Sequence, residues 1–254
     1  MIKINDIIEK LDLLLNSKSF SDYGPNGLQV EGKKEVQKIS FAVSATVESI
    51  EKSLEWGSDC LITHHGILWG YQKAKRIVGP HYKRIKSLID GEMNLISYHL
   101  PLDAHLEHGN AAGIAKKLDL VNIEPFGDYR RNPLGVSGKF KAPLKADELK
   151  AKLKKMLNHE VIHADPGSDL IRSIGIITGG ANNEWPQALE SGLDAYLTGE
   201  ISEYNWHDSK EAGIHYFACG HHATEKFGVL SLEQFINENF KGIETIFFDS
   251  TNPA

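Results

Sequence analysis

The chain has 254 residues, 41% hydrophobic and 24% charged, with a formal net charge of −6. That size and composition suit a soluble globular protein of one large domain or two smaller ones. The acidic balance argues against broad electrostatic binding to nucleic acid, and no apolar run approaches the roughly 20 residues that span a bilayer.

Residues 1–15 carry acidic side chains within an apolar stretch and read as an amphipathic helix, not a signal peptide. A strand is expected over 39–43, then a helix, then a short strand closing on Thr63-His64-His65-Gly66. Residues 82–89 read as a helix leading into a strand over 94–98, which delivers His99 and Asp103. Residues 125–133, rich in Gly, Pro and Arg, mark the expected domain boundary, giving domains 1–125 and 126–254, with the C-terminal part able to pack back on the first. A helix with a basic, solvated outer face follows over 145–157. A strand over 174–178 runs into Gly179-Gly180-Ala181-Asn182-Asn183, read as a strand-to-helix turn. Thr198-Gly199-Glu200 closes another short strand. A helix over 208–212 and a strand over 215–219 then lead to Gly220-His221-His222-Ala223-Thr224-Glu225. Cys60 and Cys219 are the only cysteines; each lies in an apolar strand-like segment and reads as a buried thiol of a cytoplasmic protein.

The chain resembles itself. Leu54, Glu55, Gly57, Asp59 and Thr63 recur as Leu189, Glu190, Gly192, Asp194 and Thr198, each set preceded by a strand and a helix. The glycine suits the end of that helix, so each copy reads as strand, helix, strand with parallel pairing. Aligning the continuations matches His99 with His221 and Asp103 with Glu225.

Ligands at the C-terminal ends of parallel strands are where α/β sheets place their sites. A lone His-His pair reads as two capping side chains, and His99 alone as a core histidine. Three separate strand ends that all finish in histidine and acid read instead as a metal site. His64, His65, Asp103, His221 and Glu225 are the expected ligands, with His99 a possible sixth. Adjacent strand residues point to opposite faces, so His64 and His65 share a cluster only where the chain turns, which Gly66 would permit. Five or six donors are too many for one closed tetrahedral zinc and too nitrogen-rich for magnesium or calcium, so two divalent ions (zinc, iron, manganese or nickel) fit better. Glu200 and His99 are the candidate proton-handling residues, Glu200 alternatively orienting a ligand imidazole. Trp69, Tyr98, Tyr204 and Trp206 lie near proposed ligands or turns and could stack on a flat substrate.

Tyr23-Gly24-Pro25-Asn26-Gly27-Leu28-Gln29-Val30-Glu31-Gly32, Thr63-His64-His65-Gly66, Tyr98-His99-Leu100-Pro101-Leu102-Asp103-Ala104-His105, Thr198-Gly199-Glu200 and Gly220-His221-His222-Ala223-Thr224-Glu225 together resemble the NIF-three-like family (YbgI type, GTP cyclohydrolase I type 2 homologs). The resemblance spans nearly the whole chain. It implies an α/β fold of two pseudo-repeated α/β lobes with the metal site between them. It also implies that the residues matching His64, His65, Asp103, His221 and Glu225 hold a dinuclear centre, and that the chain forms a toroidal homohexamer. The function so implied is metal-dependent hydrolysis of a small molecule or nucleotide of the GTP cyclohydrolase type. The alternative is a metal-dependent regulatory or scaffold protein without catalysis.

Overall fold

Segments 38–44, 60–65 and 94–97 are apolar on both alternating faces, the pattern of parallel strands covered on each side. The computed structural model describes residues 1–70, 75–168 and 170–254. It has a mixed α/β fold that divides into two units, Met1–Leu102 with Gly228–Ser250, and Asp103–Phe227 with Thr251–Ala254.

In the first unit, strands Lys38–Ser44, Cys60–His65 and Asn94–Ser97 lie side by side and parallel. Glu244–Phe247 joins parallel at one edge and Gly27–Val30 antiparallel at the other. Strict alternation sorts the side chains: Phe41, Ile62 and Ile96 pack with Ile7 and Leu11 of helix Ile4–Leu15 and with Leu232 and Ile236 of helix Lys226–Asn239. Ala42, Leu61 and Leu95 face the other way, against Ile50 of helix Val47–Trp56 and Leu88 of helix Gly79–Asp90. Helix Val47–Trp56 opens on a reciprocal cap, Ser49 N donating to Thr46 Oγ1 and Thr46 N to Ser49 Oγ. It ends on Gly57 at φ 83°, a left-handed conformation that glycine adopts without a Cβ penalty.

The second unit builds the same parallel triple from Leu170–Ile176, Ala195–Thr198 and His215–Ala218. Hairpin Val121–Tyr129 and Asn132–Lys145 flanks one side and edge strand Ile162–Ala164 the other, all antiparallel. Ile39 pairs with Cys60 and Ile174 with Ala195, so repeat positions pair with repeat positions. Gly192, the counterpart of Gly57, also has a positive φ of 67°.

The repeated aspartates hold the strand starts. Asp59 Oδ2 accepts from Gln37 N at 2.9 Å and Lys38 N at 3.0 Å. Asp194 Oδ2 accepts from Arg172 N at 2.8 Å and Ser173 N at 2.9 Å. One carboxylate in each unit thus satisfies two successive N–H groups of the neighbouring strand.

Two expectations need correction. The 125/126 boundary falls inside a strand, because the Gly-, Pro- and Arg-rich segment is a hairpin and not a linker. Arg130 and Arg131, at φ 51° and 72°, form its two-residue tip, and Pro125 is tolerated on an edge strand. The second correction concerns alignment. Tyr98 N donates to Thr63 O and Cys219 N to Thr198 O, so the ladder equates His99 with Gly220, not with His221. The extra residue is Gly220 at φ 87°, which turns the chain before His221.

Asp194→Ala orphans two strand N–H groups and is expected to cost about 1–3 kcal/mol, read as a lower Tm with folded-state circular dichroism retained. The Asp59 carboxyl lies below its ordinary value of 3.8: burial opposes this, but the Lys33 hydrogen bond and the two strand N–H groups outweigh it. A depressed carboxyl pKa stabilises fully above the ordinary value and is lost as pH falls through the folded one. The Tm gap between the natural chain and Asp59→Asn should therefore be widest near neutrality and close below about pH 4. A gap independent of pH would contradict the ionised contact.

Candidate metal centre

Strand Cys60–His65 carries both histidines at its C-terminal end. His64 is fully buried; its Nδ1 lies 3.0 Å from Tyr98 O. A carbonyl only accepts, so Nδ1 carries the proton and the lone pair sits on Nε2. His65 Nδ1 is 3.0 Å from Ser44 Oγ, and His99 Nδ1 is 2.7 Å from Asp22 Oδ1. Despite their alternation along the strand, the His64 and His65 rings stand 4.6 Å apart, with His99 at 5.0 Å and 5.6 Å. One ligand atom from each of the three lies within 4.8 Å of the others. His99 therefore belongs to the first unit's set.

The turn after His65 works differently from the expectation. Gly66 has no positive φ; a Cβ there would overlap the Gln29 carboxamide. Gln29 Oε1 accepts from Ile67 N at 2.9 Å and its Nε2 donates to Pro25 O at 2.8 Å, so glycine is needed for close approach.

Asp22, Asn26 and Gln29 were not singled out from sequence as functional residues. Asp22, its side chain only 2% exposed, accepts from Asn26 Nδ2 and Leu100 N, both at 2.9 Å, as well as from His99. Burial works to raise its carboxyl pKa, and these partners, His99 foremost, bring it below the ordinary value. An acid immediately before the turn-forming run Tyr-Gly-Pro-Asn-Gly was the available signal.

In the second unit, Gly220 turns the chain into helix His221–Thr224, and Glu225 caps it. His221 Nε2 lies 3.2 Å from Glu225 Oε2, and its Nδ1 lies 2.6 Å from Glu200 Oε1. Glu200 thus orients the imidazole, one of the two roles expected of it. Burial disfavours protonation of His221, but the Glu225 contact and then Glu200 outweigh it and raise the pKa to about 9. Asp103, 9% exposed, accepts from Asn110 Nδ2 at 2.9 Å, and from Thr178 Oγ1 at 3.4 Å. A carboxylate oxygen of Asp103 and one of Glu225, itself 3% exposed, lie within 4.8 Å of each other. Two buried acids this close repel unless a positive charge offsets them.

Both donor sets fit divalent ions: imidazoles whose outer nitrogens are oriented by oxygen partners, and paired buried carboxylates. The Gly179 turn is structural, since Gly179 N donates to Thr224 Oγ1 and Gly179 O accepts from Gly199 N. Of the aromatic candidates, Trp69 meets His99 edge-on at 5.2 Å. Tyr98 is a core residue whose hydroxyl donates to Asp12. Tyr204 donates to Asn183, and Trp206 sits under Lys210.

A Cβ on Gly179 would overlap the Glu225 carboxylate, and φ is 67°; on Gly180 the nearest atom would be 3.6 Å away. Gly179→Ala is expected to cost about 1–3 kcal/mol in metal-stripped protein, and Gly180→Ala far less. Equal Tm losses would contradict the close approach.

The sequence model of the Duf34/NIF3 (NGG1p interacting factor 3) family matches residues 2–253. A relative from Pasteurella multocida (strain Pm70), named GTP cyclohydrolase 1 type 2 homolog, is 40% identical over 241 residues, covering 94% of this chain and 95% of the relative. The solved structure of protein ybgI, described as of unknown function, superposes with a TM-score of 0.92 at 36% identity over 100% of both chains. That of TTHA1606 from Thermus thermophilus gives 0.91 at 31% identity, also over 100% of both.

Proposed function

We propose that this chain, which belongs to the Duf34/NIF3 family, is a dinuclear metalloprotein that hydrolyses a nucleotide in the manner of a GTP cyclohydrolase. The observation that carries the metal reading is the gathering of the buried Asp103 and Glu225 carboxylates beside the His221 imidazole, acid and nitrogen donors together as divalent transition metals use them. The imidazoles of His64, His65 and His221 add nitrogen donors, all oriented through Nδ1. On this reading His64, His65, Asp103, His221 and Glu225 serve one pair of zinc, iron, manganese or nickel ions. The names of curated relatives support the substrate class.

Bound ions of this kind lower the pKa of water toward neutrality and polarise the bond under attack. The chain's own residues do the rest. Glu200 fixes the His221 ring through Nδ1. Asp22 fixes His99 in the same way, leaving the other ring nitrogen to move a proton to the leaving group. Trp69, edge-on to His99, offers an aromatic surface for a purine. The reading extends to a ring-shaped homohexamer, checked by sedimentation velocity.

Elemental analysis of the purified protein is expected to find two metal equivalents per chain that depend on these five residues. His64→Ala and His221→Ala, one from each unit, should each lower that number and abolish formate release from GTP. Independent loss of one ion by each variant would show two separate sites instead of a pair. Full metal occupancy with no turnover of GTP or other nucleotides would leave a metal-dependent binding protein.

A further inference from the structure

A second set of metal-type side chains lies at the other end of the strand that leads to His221, next to the edge of the second unit's sheet. His215 opens strand His215–Ala218, whereas His221 follows its end. Edge strand Ile162–Ala164 pairs with it antiparallel, His163 opposite Phe217. His163 and His215 therefore share a face, one step apart on the diagonal.

Both rings are fixed. His163 stacks on Phe217 at 4.3 Å with the planes 2° apart. His215, fully buried, has Nε2 2.8 Å from Ser168 Oγ. Its Nδ1 then points at His163 Nε2, 3.1 Å away, and Asp165 Oδ1 lies 3.7 Å from the same Nδ1. Ligand atoms of all three residues fall within 4.8 Å of one another. With metal–nitrogen bonds of about 2.0–2.1 Å, a nitrogen separation of this size corresponds to an angle of roughly 100° at the ion. Two facing imidazole nitrogens must otherwise share a proton, with one ring donating to the other.

We propose that His163, His215 and Asp165 form a separate binding site for a single divalent transition-metal cation of the zinc type. Two nitrogens and one carboxylate oxygen are a recurrent donor set for such ions, the remaining positions being taken by solvent. Ser168 positions His215 as outer partners of metal-bound imidazoles do. The half-exposed Asp165 side chain gives an entry path, and Asp147 and Lys150 nearby carry opposite charges.

The test is zinc titration of the full chain by calorimetry with elemental analysis, comparing the natural protein with His163→Ala and Asp165→Asn. The natural chain is expected to bind one equivalent more than His163→Ala, whatever number the other donors hold. Asp165→Asn, an exposed change that leaves folding intact, should weaken that equivalent at least tenfold. Identical stoichiometry and affinity across the natural chain and Asp165→Asn would overturn the site, including where His163→Ala fails to fold. Because the readout is a difference of one ion, it stands even if the five-ligand centre holds no metal pair.

Discussion

Each donor group hangs on the hydrogen-bond ladder of parallel strands continuing past the formal strand ends. Thr63 O receives Tyr98 N in the first unit, and Thr198 O receives Cys219 N in the second. A further step comes from Gly220 N to Gly199 O and from Gly199 N to Gly179 O. Parallel strands cannot be joined by tight turns, so their ends collect loops whose N–H and C=O groups need partners. Where the ladder supplies those partners, the next side chains are held with little conformational freedom. Tyr98 shows the economy: its N–H closes the ladder, its carbonyl orients His64 and its hydroxyl reaches Asp12.

The residues themselves made much of this legible. The repeated Leu-Glu, Gly, Asp and Thr pointed to duplicated strand–helix–strand units, and the glycine carried its reason with it, a left-handed helix end. The five proposed donors and His99 were visible as acids and imidazoles at apolar strand ends. What stayed hidden depended on pairing between distant segments. Asp59 and Asp194 were legible only as matching positions of the repeat; the strands that they cap reveal their role. Asp22 drew no attention in the sequence, because its partners, the backbone of Leu100 and the ring of His99, lie more than seventy residues away. The hairpin at Arg130 and Arg131 was obscured because arginine occupies positive-φ positions usually given to glycine or asparagine.

The two units put different charges at equivalent places. The first offers three imidazoles, each with an oxygen partner at Nδ1, and a buried acid used up in orienting one of them. The second offers acids that approach one another in poorly solvated surroundings. Neutral nitrogens alone bind a dication without balancing its charge, and buried acids alone repel.

The strand ends show how one pattern came to carry these two chemistries. Register equates His64 with Gly199 and His65 with Glu200, because Cys60 and Ala195 open the two matching strands. In the first unit that dipeptide supplies imidazoles directly. In the second, a Cβ at Gly199 would come within 2.6 Å of His221 Cα. Glycine is therefore the residue that lets the following helix approach, and Glu200 turns its carboxylate on the His221 ring. The additional Gly220 shifts His221 one residue beyond the position of His99, as the left-handed turn at that glycine allows. The second unit has thus moved its imidazole from the strand to the helix that follows, and the strand end has become its support.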